Sequence, residues 1–171
     1  MTTGTTTATA ETPTFRITLR HICFVILIAA IAVSGYLSYL KASGSDAVCM
    51  DSGAFDCGTV LNSAYSEISG IPISWLGLAT NAIVLMLLLI EPHLGFTRQF
   101  GPTLVMGPVL FAFLFSMYLI YVQAQLIKAY CPWCLSHEAL ISLLFVLTVF
   151  RLRNHMRQPI YGASRVRYTD D

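Results

Sequence analysis

Four long stretches of this chain carry almost no charge, and they limit its fold more than any motif does. Ile22–Leu40 is nineteen residues without a charged side chain, Ile71–Ile90 is twenty, and Pro102–Ile127 is twenty-six. Cys131–Phe150 carries a single acid, Glu138. A helix of about 20 residues rises roughly 30 Å, the thickness of a bilayer's hydrocarbon core. Inside lipid every backbone N–H and C=O must find a partner within the protein, so runs of this kind are expected as helices. Composition agrees: 11% of the residues are charged, against roughly 25% in a soluble domain. A net charge of +1 leaves no basic footprint for nucleic acid. The expectation is an all-α, polytopic four-helix bundle in a lipid bilayer. The third run is longer than a span requires, so its ends are expected in the interface or in a loop. The first run could also be a signal peptide, with Ala42-Ser43-Gly44 as small residues for cleavage. It exceeds the roughly 7–15 residues of a signal-peptide core, which favours a retained helix.

The positive-inside rule orients the bundle. Arg16, Arg20, Arg98, Arg151, Arg153, Arg157, Arg165 and Arg167 lie before the first run, between the second and third, or after the fourth. The other two connections hold only Lys41 and Lys128, and the first also carries Asp46, Asp51, Asp56 and Glu67. Both termini are therefore expected in the cytoplasm, with the loop over residues 41–70 and the short third connection outside. The organisation expected is a disordered, Thr-rich tail over residues 1–16, a four-span catalytic domain over 17–151, and a polar tail over 152–171.

That orientation uses no cysteine, yet it gathers Cys49, Cys57, Cys131 and Cys134 on the outer face, where disulfides persist. Cys131-Pro132-Trp133-Cys134 is a C-x-x-C motif opening a helix. Pro132 suits a first helical turn, where its missing N–H costs nothing. The free N–H groups and dipole at a helix start favour a thiolate. No βαβ pattern surrounds the motif, which rules out a thioredoxin fold. Cys49 and Cys57 enclose a polar, Gly-containing segment that is expected to be exposed and mobile. On the residues alone two readings of this pair stay open: a shuttle to the second pair, or a static loop staple worth roughly 2–3 kcal/mol. A four-thiolate zinc site would use the same four residues, but zinc ribbons usually pair two C-x-x-C knuckles, so no metal is expected. Cys23, alone in the first run, reads as a small buried hydrophobe. The non-enzymatic alternative is a membrane protein with two structural disulfides.

A redox dithiol needs an electron sink, and no haem, flavin or nicotinamide motif is present. A dithiol at the bilayer edge can reduce a small apolar oxidant arriving through lipid, and a quinone such as ubiquinone or menaquinone meets that description. Its pocket should be apolar with a few polar groups. Asn62 or Ser63 could hydrogen-bond a quinone oxygen, or simply cap a turn. Glu138, four residues after Cys134, shares its helix face. It could deliver protons to the reduced quinone, or be a paired acid near the interface. His137 is expected to point elsewhere, toward the interface. Trp133, Tyr130, Tyr36 and Tyr39 read as an aromatic belt.

With these residues in place, the chain resembles the vitamin K epoxide reductase family in its bacterial form, over roughly Arg20 to Arg151. The resemblance rests on Cys49-x7-Cys57 in the first outer loop, Ser63 at the sixth position beyond, Gly70-Ile71-Pro72 at the second span, and Cys131-Pro132-Trp133-Cys134 opening the last helix. It implies a bundle around a quinone, with Cys131 and Cys134 as the quinone-reducing pair and Cys134 nearer the substrate. Cys49 and Cys57 would be the relay, and Ser63 the family's Ser/Thr beside the quinone. Many bacterial members carry a fused thioredoxin-like domain. This chain ends too soon for one, so its expected donor is a separate thioredoxin-like (DsbA-like) protein. The expected location is the inner membrane, with the cysteines facing the periplasm or an equivalent extracytoplasmic space and supporting disulfide formation. Vertebrate members have a Tyr where Glu138 falls and an Asn near where Ile73 falls. Those departures point to quinone reduction rather than vitamin K epoxide reduction. The DsbB-type quinone reductases share the bundle but usually reverse the order of the two cysteine pairs.

Overall fold

The structure is a computed structural model that describes residues 13–45, 49, 53–91 and 95–156. It contains α1 (Pro13–Ser43), a short α2 (Cys57–Leu61), α3 (Ile73–Ile90), α4 (Gly95–Tyr121) and α5 (Pro132–Met156). The four long helices are each apolar and long enough to cross a membrane, so this is a multi-pass membrane protein. They close into a ring: α1 packs on α3 and α5, and α4 packs on the same two. The first run is therefore part of the bundle itself. Outward faces are as apolar as the interior, with Val25 67%, Phe111 64%, Leu114 59% and Met86 58% exposed. A helix apolar all round suits lipid and not water.

The end nearer the chain termini is filled and dry. Cys23, Leu27, Val84, Leu88, Val109 and Leu144 form one buried cluster there. Beyond it the Arg151 guanidinium of α5 pairs with Glu91, the residue that caps α3. Arg20 of α1 donates to the Leu88 carbonyl at 3.2 Å. The Glu91 side chain lies directly over Gly101 of α4, where an added Cβ would fall 2.6 Å from Glu91 Cγ. Only glycine admits the carboxylate at that crossing.

One expectation about the runs is corrected and another is narrowed. The second helix begins at Ile73, because Ile71–Pro72 (β2) pairs antiparallel with Glu67–Ile68 (β1). Ser69 and Gly70, both at positive φ (53° and 81°), turn that hairpin. The third run does not end in loops. It stays helical throughout, with Pro102 and Pro108 inside α4, and continues as a π-helix over Val122–Ile127 before Lys128 stops it in the left-handed conformation. A lipid-facing segment gains nothing by unwinding, because no water is there to take up the freed backbone groups. Within the π turn Val122 and Gln123 are buried, while Gln125 and Leu126 are exposed. Of the expected tails, residues 1–12 and 157–171 lie outside the described residues, as do 46–48 and 50–52 of the outer loop.

Candidate functional site

The pair expected as the relay, Cys49 and Cys57, is a disulfide with Cα atoms 6.2 Å apart. This takes two of the four thiolates that a zinc cage would need. Cys57 is the first residue of α2, and Asp56 caps that helix. Asp56 Oδ1 accepts from the Thr59 N–H at 2.9 Å and Oδ2 from the Thr59 hydroxyl at 2.6 Å. These bonds, the hydroxyl's first, hold the Asp56 carboxyl below the usual carboxylate range. The expectation of an exposed segment does not extend to Cys57, which is fully buried. The reason is a backbone splice. The Asp56 N–H donates to the Tyr130 carbonyl at 3.1 Å, and the Tyr130 N–H donates to the Ala54 carbonyl at 2.9 Å. Phe55 and Tyr130 pair their rings across it, 6.3 Å between centroids. The loop end carrying Cys57 is thereby bound to the residue preceding Cys131. Cys57 and Cys131 share one buried cluster with Val60 and Ala129, while Cys49 and Cys134 sit at its margin.

Cys131 and Cys134 are free thiols. The Cys131 N–H donates to Oε1 of buried Gln123 at 3.0 Å, and its sulfur accepts from the Cys134 N–H at 3.4 Å. The pKa of Cys131 is lowered from 9.0 to about 7. The hydrogen bond from the Cys134 thiol is the largest cause, followed by the Cys134 and Trp133 N–H groups, and burial opposes them. The N–H groups at the helix start, expected to favour a thiolate, contribute less than the Cys134 thiol.

On the far side, Cys134 faces a largely apolar cavity of about 250 Å³. Its walls come from all four long helices, with Val60, Leu61 and Ser63 over the top. Cys57 and Cys131 do not line it. Cys131 thus shares a buried cluster with Cys57 and lies three residues from Cys134, which lines the cavity.

The polar candidates separate. Ser63 lines the cavity, with its hydroxyl donating to the Val60 carbonyl at 2.8 Å. Asn62 is the C-cap of α2; its side chain is exposed and does not line the cavity. Glu138 is buried in the wall next to the Ser116 hydroxyl, and its Oε2 has no hydrogen-bond partner among the described residues. His137 is a correction: it faces inward and lines the cavity, with Nε2 3.0 Å from Asn81 Nδ2. It lies three residues after Cys134, so it shares that face. Gly77 of α3 lies beside the ring, and a Cβ there would make an ordinary contact, 3.8 Å from Cε1. Asn81, buried and bonded to Ser34 as well, is a site residue that counting charges passes over. Its signal was a lone amide in an apolar run. Lys41 also lines the cavity and ties its cover down, with Nζ 3.0 Å from the Leu61 carbonyl and 3.1 Å from Glu67 Oε1. Of the aromatic residues, Tyr36 and Trp133 pack on each other at 5.0 Å, Tyr130 forms the splice, and Tyr39 is exposed.

Two comparisons bear on this arrangement. The model of the vitamin K epoxide reductase family matches residues 21–149. A thiol-disulfide oxidoreductase of Arabidopsis thaliana, LTO1, is 32% identical over 134 residues, which cover 75% of this chain and 35% of the relative. The chain thus spans about a third of the length of that relative.

Proposed function

The chain belongs to the vitamin K epoxide reductase family, and from that premise we propose a membrane thiol–disulfide oxidoreductase that moves two electrons from a partner dithiol to a quinone. One observation carries the reading. Cys131 is fully buried, clustered with Cys57 on one side and three residues from Cys134, which opens on the cavity. A structural staple has no use for a free, acidified thiol between a disulfide and a pocket.

The chemistry runs through mixed disulfides. A partner thiolate attacks the Cys49–Cys57 disulfide, and the partner's second thiol resolves the adduct and leaves oxidised. The Cys57 thiolate attacks Cys131 of a Cys131–Cys134 disulfide and releases Cys134 as thiolate. Cys49 then closes on Cys57, freeing Cys131. The reduced Cys131–Cys134 pair passes two electrons to the quinone as its own disulfide reforms, and the quinone takes up two protons to become a quinol. The cavity is smaller than the roughly 300–1,000 Å³ of a drug-sized pocket, which suits a quinone ring with its tail left in lipid. Ser63 is proposed as a ring neighbour, and Glu138, with one carboxyl oxygen unpartnered, as the proton carrier. Asn62 is proposed only as a cap. The four-span catalytic unit is taken as residues 17–151. Its donor is taken as a separate thioredoxin-like protein, its setting as the inner membrane, and the cysteine end as facing the periplasm with both termini cytoplasmic. The acceptor is ubiquinone or menaquinone.

The test is steady-state quinone reduction by the purified chain in lipid nanodiscs with a dithiol donor. The wild type is expected to consume one quinone per dithiol, and Cys131→Ala none. Unchanged turnover in Cys131→Ala would end the proposal.

A further inference from the structure

Beside the cavity, three helices are joined by a chain of hydrogen bonds that the sulfur path does not use. Ser34 of α1 donates its hydroxyl to the Ala30 carbonyl at 2.8 Å, which leaves its lone pairs to accept. Asn81 Nδ2 of α3 stands 3.3 Å from that hydroxyl oxygen and supplies the proton. This fixes which end of the Asn81 amide faces Ser34. The same NH2 group lies 3.0 Å from His137 Nε2 on α5. An NH2 group only donates, so Nε2 accepts, and the ring is neutral with its proton on Nδ1. Nδ1 has no hydrogen-bond partner among the described residues. Ser34, Asn81, His137 and Cys134 all line the cavity.

A buried amide and an imidazole inside membrane helices are costly, and such groups are retained where they act. A neutral imidazole is a weak acid but a good electrophile. An N–H fixed in advance toward an oxygen stabilises negative charge developing there without giving up its proton. A quinone develops such charge on its oxygens as electrons enter. We infer that His137 contacts the quinone, held by the Ser34–Asn81 chain as an Nδ1–H donor to the oxygen on which charge develops. The balance of the reaction is unchanged: two thiols and a quinone give a disulfide and a quinol, and His137 begins and ends neutral. The inference rests on the quinone reading above and assigns one polar contact within it.

The experiment mixes fully reduced full-length protein in nanodiscs with a short-chain ubiquinone analogue and follows quinol formation by stopped flow. His137→Leu is expected to slow quinol formation on the order of 10²-fold, as loss of one preorganised donor does. His137→Gln, which keeps an N–H donor, should recover most of that loss. Asn81→Leu should cost roughly tenfold, through the ring it positions. Transfer from an added dithiol through Cys49 and Cys57 to Cys131 and Cys134, read without quinone by thiol labelling, should be the same in all variants. Wild-type speed in His137→Leu overturns the inference, as does a His137→Gln as slow as His137→Leu, which would mark a merely structural ring. If His137→Leu does not fold, His137→Gln faster than Asn81→Leu supports the inference, and the reverse order overturns it. A wild type that makes no quinol rejects the quinone reading itself, a distinct outcome.

Discussion

At the end nearer the termini, the helices meet through Leu27, Val84, Leu88 and Leu144, and Glu91 and Arg151 neutralise each other beneath them. At the cysteine end the same four helices part around a cavity of about 250 Å³, with Asn81, His137 and Glu138 in its wall. One end sets the Glu91 carboxylate against the Arg151 guanidinium. The other keeps a carboxyl oxygen with no partner among the described residues and two free thiols. Polar groups inside a bilayer are costly unless partnered. The contrast therefore separates the part of the fold that provides stability from the part that gives some of it up for chemistry.

The comparison is broken most decisively by cysteine substitutions at the two ends. Cys131→Ala should abolish dithiol-driven quinone reduction, whereas Cys23→Ala, in the dry core, should leave the rate at wild type. A loss of turnover in Cys23→Ala would mean that the filled end is not merely structural. Next in size is Glu91→Gln, which leaves the Arg151 guanidinium without its counter-charge. Removing one member of a mostly buried pair costs about 3 kcal/mol. Thermal unfolding in nanodiscs should register that loss, while turnover per folded molecule stays the same.

A sharper probe is the pH dependence of Cys131 alkylation in the reduced protein. The thiolate is the reactive form, so a thiol held at about 7 should reach half its plateau reactivity near pH 7 and not near pH 9. Because the Cys134 thiol's hydrogen bond is the main cause, Cys134→Ala should move that midpoint upward. A midpoint unmoved by Cys134→Ala would relocate the cause to the helix start. The smallest effect is expected at Asp56→Ala. Its carboxylate is stabilised by Thr59, so the cap is complete above the ordinary carboxylate pKa and fails as pH falls through the lowered one. The variant should slow transfer from Cys57 to Cys131, and raising the pH should not rescue it.

Much of this was legible in the sequence for one physical reason. Lipid leaves the backbone few options, so counting charges found four helices and which ends they share. The same count could not tell Ile71 and Pro72 from the start of a helix, because a hairpin strand at the interface is equally apolar. The four cysteines declared themselves by spacing. The burial of Cys57 did not, because it depends on Tyr130 pairing with Ala54 and Asp56 from far along the chain. His137 is expected to point away from the cysteine face, toward the interface. Its distance of three residues from Cys134 was the better guide, and Asn81 on the facing helix decides the matter.

The central claim is that electrons pass in series through Cys57, Cys131 and Cys134 to the cavity. The direct measurement is to mix fully reduced protein with one equivalent of quinone, quench with an alkylating agent over time, and locate the protected cysteines by mass spectrometry. The account predicts that Cys131 and Cys134 become protected first and Cys49 and Cys57 later, and that in Cys131→Ala the outer pair stays reduced. Protection of Cys49 and Cys57 before the inner pair, or in the absence of Cys131, would contradict it.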